Sequence, residues 1–287
     1  MDELCPKKTA KRIMSFNVLN VFVAQPQEWH CAPRRAAGAA EVILANDPDF
    51  VCLQEYDSFY RWNEENIHSK IAQKYEEVHL VGYLDYNIWN PIFYDREKYT
   101  VVESGVVDFF AAGIATVEYF SNHDKTGRSH FREFVWAILE DNNDKTRYLV
   151  GNLHFSAGTD EVRAVTHAAE SKMVVEKVKE LLVKYPDAVT LIGGDYNSTC
   201  TGVGGYRCLK EAGFKDTHDI AEQKDNDGSD MHGAGDRDSG GIDHVTTLSE
   251  LRVEAYYKMR PEKYLHVSDH APLVVQFSLP KGKEEGK

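Results

Sequence analysis

The sequence predicts an α/β sandwich in which two mixed β-sheets pack face to face with helices on the outside. Three observations point there. About ten short runs rich in Val, Ile, Phe and Tyr, each bounded by Gly, Asn, Asp or Pro, read as strands. Many of these runs follow one another directly, as hairpin neighbours do, rather than alternating strictly with helices as in a barrel or a doubly wound sheet. Two longer segments with apolar residues at helical spacing are set between them.

In chain order, KRIMSFNV and DFVCLQE are the first two strands. Between them PRRAAGAAEVILANDP repeats Ala36, Ala39, Ala40, Ile43 and Leu44 at helical spacing until Asp47-Pro48 ends the run. Shorter helices are expected around residues 58–73 and 206–212. NIWNPIFYD, YTVVESGVVDF, FREFVWAILED and TRYLVGNLHF continue the strands. Thr159 is the expected N-cap of a long helix, with Asp160 and Glu161 in its first turn. That helix runs to about Lys184 and carries Val174, Val178, Leu181, Leu182 and Tyr185 on one face. AVTLIGGDYN, GIDHVTT, LRVEAYYKM and APLVVQFSL complete the strands. The stretch DNDGSDMHGAGDRDSGG, residues 225–241, has no apolar period and reads as a surface loop; it lacks the downstream glutamate of an EF-hand calcium loop. No repeat or linker divides residues 11–280, so one domain is expected, with residues 1–10 and 281–287 as charged, mobile tails.

With 42% hydrophobic and 11% aromatic residues, the 287-residue chain has ample material for a core, which excludes a disordered or collagen-like protein. Its longest apolar runs fall far short of the roughly 20 residues of a membrane span. No apolar segment before a cleavage site appears near the N-terminus, so a soluble protein is expected, cytoplasmic or secreted after loss of a signal peptide. An excess of 46 acidic over 33 basic residues, net charge −13, opposes non-specific adhesion to nucleic acid or anionic membrane. It leaves open a phosphate site built on a metal ion, whose ligands are themselves acidic. Five cysteines without a CxxC pair indicate free thiols in place of a zinc ribbon; Cys200 and Cys208 are the pair close enough in sequence for a small disulfide loop.

The informative pattern lies where strands stop. Asn17 ends IMSFN, Glu55 ends FVCLQE, His154 ends YLVGNLH, Asp195 and Asn197 end TLIGGDYN, Asp243 sits in GIDHV, and Asp269-His270 precedes APLVV. Any one of these residues serves as an ordinary turn-maker or cap. Turn chemistry alone would also draw on Ser, Thr and Gly, and the set instead contains the parts for hydrolysing a phosphate ester. Oxygen ligands from Glu55, Asp269 and Asn17 suit Mg²⁺ or Mn²⁺, and histidines beside carboxylates activate water and steady charge on phosphorus.

These markers, SFN, LQE, NLH, GDYN, GID and SDH in that order between about Arg12 and Leu279, resemble the endonuclease/exonuclease/phosphatase superfamily, whose members include deoxyribonuclease I-like enzymes. The resemblance implies a four-layer α/β sandwich with its site at converging strand ends, and a divalent-metal-dependent hydrolysis of phosphoester bonds. It assigns Glu55 as main ligand of Mg²⁺ or Mn²⁺, with Asn17 and Asp269 assisting. Asp195 would orient or deprotonate the attacking water, Asn197 hold a phosphate oxygen or the metal, His270 oriented by Asp243 transfer a proton or donate to phosphoryl oxygens, and His154 donate to the developing charge. Asn17 and Asn197 would also contact substrate. The substrate would be nucleic acid, a phospholipid or a small phosphate ester; a monomer is compatible with this reading. Arg132 and Arg163 are the basic candidates for substrate contact, weighed against solvation at the surface. The glutamate that partners the first histidine in deoxyribonuclease I-like members is missing from DYNIWNPIFYD, where Asn87 or Asn90 would stand in. The alternative is a catalytically inactive binding or scaffolding protein of the same fold.

Overall fold

A computed structural model describes residues 10–20, 32–57, 60, 66–80, 89–109, 132–157, 160–200, 204–224, 241–258 and 267–280. The expected tails, the 225–240 stretch, Cys5, Cys31, Asn87 and Thr159 lie outside the described residues, as does the side chain of Arg163.

Thirteen strands are present among the described residues: β1 Lys11–Asn17, β2 Phe50–Gln54, β3 Tyr75–Glu77, β4 Ile92–Asp95, β5 Tyr99–Asp108, β6 Glu133–Asp141, β7 Arg147–His154, β8 Val189–Asp195, β9 Lys215–Asp216, β10 Ala221–Lys224, β11 Asp243–Thr247, β12 Arg252–Lys258 and β13 Leu273–Ser278. They form a seven-stranded sheet, β10-β12-β13-β1-β2-β4-β3, and a six-stranded sheet, β5-β6-β7-β8-β11-β9. Helix α1 (Ala32–Asn46) and the short α2 (Ile67–Ile71) accompany the first sheet; α3 (Asp160–Lys184), α4 (Gly205–Glu211) and the single turn α5 (Thr217–Ile220) accompany the second.

Three apolar layers hold these parts together. Between the sheets, Ile13, Phe50, Cys52, Ile92, Val135, Ala137, Val150, Leu191, Val245 and Val275 are buried in one cluster. Outside the first sheet, Ala36, Ala39, Ala40 and Ile43 of α1 pack on Met14, Phe16, Val51 and Leu53. Outside the second, Val174, Val178 and Leu181 of α3 pack with Phe134, Leu149, Leu153 and Ile192. The order helix, sheet, sheet, helix is the four-layer sandwich. Within a strand such as β1, alternate residues serve different layers, Ile13 between the sheets and Met14 under α1, which is why these strands read as continuous apolar runs. Leu44, expected on the buried face of α1, is 44% exposed, and Val42 is buried.

Cys200 and Cys208 are free thiols, as is Cys52, so the small disulfide loop does not form. No helix among the described residues is long and apolar enough to cross a membrane.

Candidate active site

Strand direction gathers the site. β1 and β2 run parallel with Asn17 opposite Gln54, and β7 and β8 run parallel with His154 opposite Asp195, so these four central strands end at one rim. β11 is antiparallel to β8 and begins there, Asp243 opposite Asp195. β13 is antiparallel to β1, which brings Ser268, Asp269 and His270, just ahead of it, to the same place. Two strand exits take left-handed backbone at residues other than glycine, Glu55 at φ 57° and Asn197 at φ 47°; such conformations are held by surrounding contacts and gather at functional sites.

Asp195 is the hub. Its Oδ2 receives Asn17 Nδ2 at 3.1 Å, meets His154 Nε2 at 3.2 Å and faces His270 Nε2 at 3.9 Å, while Oδ1 accepts the Asn197 backbone N–H at 2.8 Å. Asn197 also donates through Nδ2 to Phe155 O at 2.8 Å. On the other side Asn17 Nδ2 lies 3.3 Å from Glu55 Oε1, and Glu55 Oε2 accepts both the backbone N–H and the side-chain amide of Asn20. His270 Nδ1 meets Asp243 Oδ2 at 2.7 Å. Ser268 Oγ donates to Asn17 O at 2.6 Å and sits beside half-buried Asp269, so Asn17 stands between Glu55 and the Ser268–His270 turn.

The electrostatics follow from burial and neighbours. Burial works against the Asp195 carboxylate, yet His154, His270 and the Asn197 N–H hold its carboxyl well below the usual range. Glu55 is likewise lowered: burial opposes, and His154, Arg132, Asn20 and His270 prevail. Burial and the Arg132 charge keep His154 neutral, below the usual imidazole range. Against burial, Asp243, Asp195 and Asp269 push His270 up to about 10, so that imidazole is a cation near neutrality. Ligand-capable atoms of Asp195, Asp243 and His270 lie within 4.8 Å of one another, but the 2.7 Å contact inside the group has the length of a charge-assisted hydrogen bond, and Asp243 with His270 is a proton-holding dyad.

Arg132 departs from the surface fate weighed for it. Only 9% exposed, it has Nε and Nη1 buried without a hydrogen-bond partner, and its charge is felt by Glu55, His154 and Glu170. The stand-in partner expected for His154 is not Asn90. Its Nδ2 faces Glu133 Oε1 at 3.5 Å, while the carboxylate against His154 is Asp195. Sequence reasoning missed Asn20, which doubles the amide donors on Glu55, and Ser268, which ties the SDH turn to Asn17. The repeated Asn in SFNVLN and the Ser ahead of Asp269 were the available signals.

The glycines of GGD have separate tasks. A Cβ on Gly194 would stand 2.1 Å from Leu153 O, so Gly194 lets β8 lie against β7. A Cβ on Gly193 would make ordinary contacts at 3.4–3.5 Å with Ser15 and Cys52 across the sandwich.

Solved structures share this architecture. An endonuclease/exonuclease/phosphatase from Bacteroides vulgatus superposes over 95% of this chain and 100% of its own with a TM-score of 0.73 at 19% identity. The chain has the endonuclease/exonuclease/phosphatase fold. ANGEL2, a 2',3'-cyclic phosphatase solved with adenosine-2',3'-vanadate, matches over 94% of this chain and 95% of its own (TM-score 0.70, 14% identity). The Bacteroides thetaiotaomicron mannosyl-6-phosphatase matches over 94% and 100% (TM-score 0.65, 17% identity). No protein-family model and no curated protein matches the sequence. At such identities the endonuclease/exonuclease/phosphatase fold is what is shared, and a fold by itself does not fix chemistry.

Proposed function

We propose that this protein hydrolyses phosphoester bonds with the help of Mg²⁺ or Mn²⁺. One observation carries the reading: a single rim holds a cluster of carboxylates, Glu55, Asp195, Asp243 and Asp269, beside a buried guanidinium with two unpartnered nitrogens. The carboxylates call for a cation and the arginine for an anion, and a metal-bound phosphoester supplies both. Structural neighbours described as phosphatases share the scaffold, which supports the same class.

The donor set fits the metal. Among the described residues Glu55 accepts hydrogen bonds from the amide groups of Asn17 and Asn20, and half-buried Asp269 adjoins Ser268, which donates to Asn17 O. Such oxygen donors suit a hard cation, so Glu55, with Asn17 and Asp269, would hold it. When bound, the ion supplies Lewis acidity toward a phosphoryl oxygen.

The chain's own residues do the rest. Asp195 is the acceptor in this arrangement, and it orients the attacking water and takes its proton. His270, charged and fixed by Asp243, donates through Nε2 to the phosphoryl oxygens. His154 spends its Nε2 contact on Asp195, so it first aims that carboxylate and shares its hydrogen with the substrate as charge grows there. Arg132 and Asn197 complete the donors around the phosphate, and Asn197 is pinned for that by Asp195 and Phe155. Net acidity of the chain favours short or small substrates over long polyanions. An inactive binding protein would have no use for a charged His–Asp dyad aimed at a second carboxylate.

The test is turnover of bis-p-nitrophenyl phosphate, oligonucleotides, phosphoinositides and small sugar phosphates with Mg²⁺, Mn²⁺ or EDTA. Hydrolysis of at least one substrate that stops in EDTA and returns with metal is expected; activity indifferent to EDTA overturns the metal assignment.

A further inference from the structure

Helix α3 changes character along one stripe. Val174, Val178 and Leu181 bury its C-terminal half against the second sheet, and the same stripe continues toward the site as Glu170 and His167. Both are fully buried polar groups in a position where apolar residues would pack, and burying a carboxyl is unfavourable unless its partners are worth it. Burial accordingly pushes the Glu170 carboxyl up to about 7.

The partner that Glu170 and His167 share is Ser156, two residues past His154. Glu170 Oε2 accepts the Ser156 backbone N–H at 3.1 Å and Oε1 accepts its hydroxyl. His167 Nδ1 accepts the Gly205 N–H at 3.0 Å, which makes Nε2 the protonated nitrogen, and Nε2 donates to Ser156 O. One helix face therefore binds the N–H, the C=O and the hydroxyl of a single loop residue. The residue before it, Phe155, donates its N–H to Asp195 O at 3.0 Å and accepts Asn197 Nδ2 at 2.8 Å. Asn197 is the residue in left-handed backbone, and the Phe155 carbonyl is one of the two contacts that fix it.

We infer that Glu170 and His167 are positioning residues that hold Asn197, through Ser156 and Phe155, in the orientation required for phosphoester hydrolysis. Their hydrogen bonds to Ser156 and Gly205 fall outside the groups assigned above to the metal and the phosphate. The inference rests on the phosphoesterase reading for its kinetic consequence and on geometry alone for its structural one.

The experiment follows Glu170→Ala, Glu170→Gln, Ser156→Ala, Asn197→Ala and the double variant E170A/N197A. With bis-p-nitrophenyl phosphate and Mn²⁺, E170A is expected to lower kcat on the order of 10- to 100-fold, the usual loss when a supporting hydrogen bond is removed, with KM and Mn²⁺ affinity nearly unchanged. E170Q, which keeps an acceptor for the Ser156 N–H, retains most of the activity, and S156A shows a smaller loss of the same kind. E170A/N197A is no slower than N197A, because both changes remove one arrangement. Additive losses, or a fall in Mn²⁺ affinity matching the fall in kcat, overturn the inference. Hydrogen exchange gives a readout independent of turnover: E170A, or S156A if E170A does not fold, should speed exchange in residues 155–157 and 195–200 while β1 and β2 stay protected. If the wild type hydrolyses nothing, the functional reading fails, and unchanged exchange at 195–200 is the separate result that removes the positioning role.

Discussion

Asp243 touches no substrate in the scheme above, and its worth is set by what it does to one imidazole. The 2.7 Å contact with His270 stabilises the cation, and with Asp195 and Asp269 it outweighs the burial that disfavours charge. Removing that carboxylate by Asp243→Asn should lower the His270 pKa by at least about one unit and slow hydrolysis at neutral pH on the order of 10²- to 10⁴-fold, since an orienting carboxylate also fixes the tautomer. A histidine raised in the folded state lends stability that is complete below its unfolded pKa, roughly 6.5, and is lost as pH rises through the folded value. In metal-free protein, wild type should thus exceed D243N in stability most clearly below about pH 6.5, with the gap closing toward pH 10. Imidazole NMR titration and urea unfolding at several pH values check both; an unmoved His270 resonance would show that Asp243 does not govern it. The side chains in this network were legible because they end apolar runs. Glu170 and His167 were not, because inside a helix they carry no mark that separates them from surface polar residues until the stripe they share with Val174 is seen against the sheet.

Strands tell a complementary story about what a sequence displays. All ten expected strands formed, and the three missed, β3, β9 and β10, read YEE, KD and AEQK and lie at sheet edges. Edge strands are short and charged because that discourages pairing with other chains, and those are the features that hide them from an apolar count. The two adjacent glycines of GGD look equivalent in the sequence, and register separates them. Gly194 faces the Leu153 carbonyl on the parallel neighbour, with no space for a methyl group at 2.1 Å. Gly194→Ala should therefore force β8 away from β7, destabilising the fold by about 3 kcal/mol or more and disturbing the His154–Asp195 pair. Gly193→Ala meets only ordinary contacts and should change stability by less than about 1 kcal/mol, because any crowding is offset by a less flexible unfolded chain. Urea denaturation of the two variants decides the matter, and equal losses would mean that the parallel pairing does not impose the constraint.

Across the sandwich, carboxylates are countered by different cations at its two ends. At the end away from the site, Lys11 of the first sheet pairs with Asp141 of the second at 2.6 Å and donates to Tyr99 Oη at 2.9 Å. Lys98 meets Asp49 at 3.0 Å and Asp95 at 3.2 Å, and Asp49 also takes the Tyr99 hydroxyl and the Arg12 N–H. Each of those carboxylates has a cation within reach, and the staple joins the sheets. At the candidate rim the counter-charges are imidazoles and a guanidinium instead: Glu55 accepts from amides and feels His154, Arg132 and His270, and Asp195 faces His154 and His270. A divalent cation that binds this rim in the folded state alone would stabilise the fold, so stability should report on occupancy. Adding Mn²⁺ or Mg²⁺ at about 100 times its Kd should stabilise the fold by about 2.7 kcal/mol and raise Tm by several degrees. Glu55→Gln removes a charge that the folded protein stabilises and turns an NH2 toward a facing amide donor, so it should lower the Tm of metal-free protein and abolish most of the metal-induced increment. Lys11→Met, at the far end, should lower Tm equally with and without metal, since distant and independent sites add. Differential scanning calorimetry of the three proteins, with metal and with EDTA, makes the comparison. A full metal increment in E55Q would move the cation away from Glu55, and an increment altered by K11M would show that the two ends are not independent.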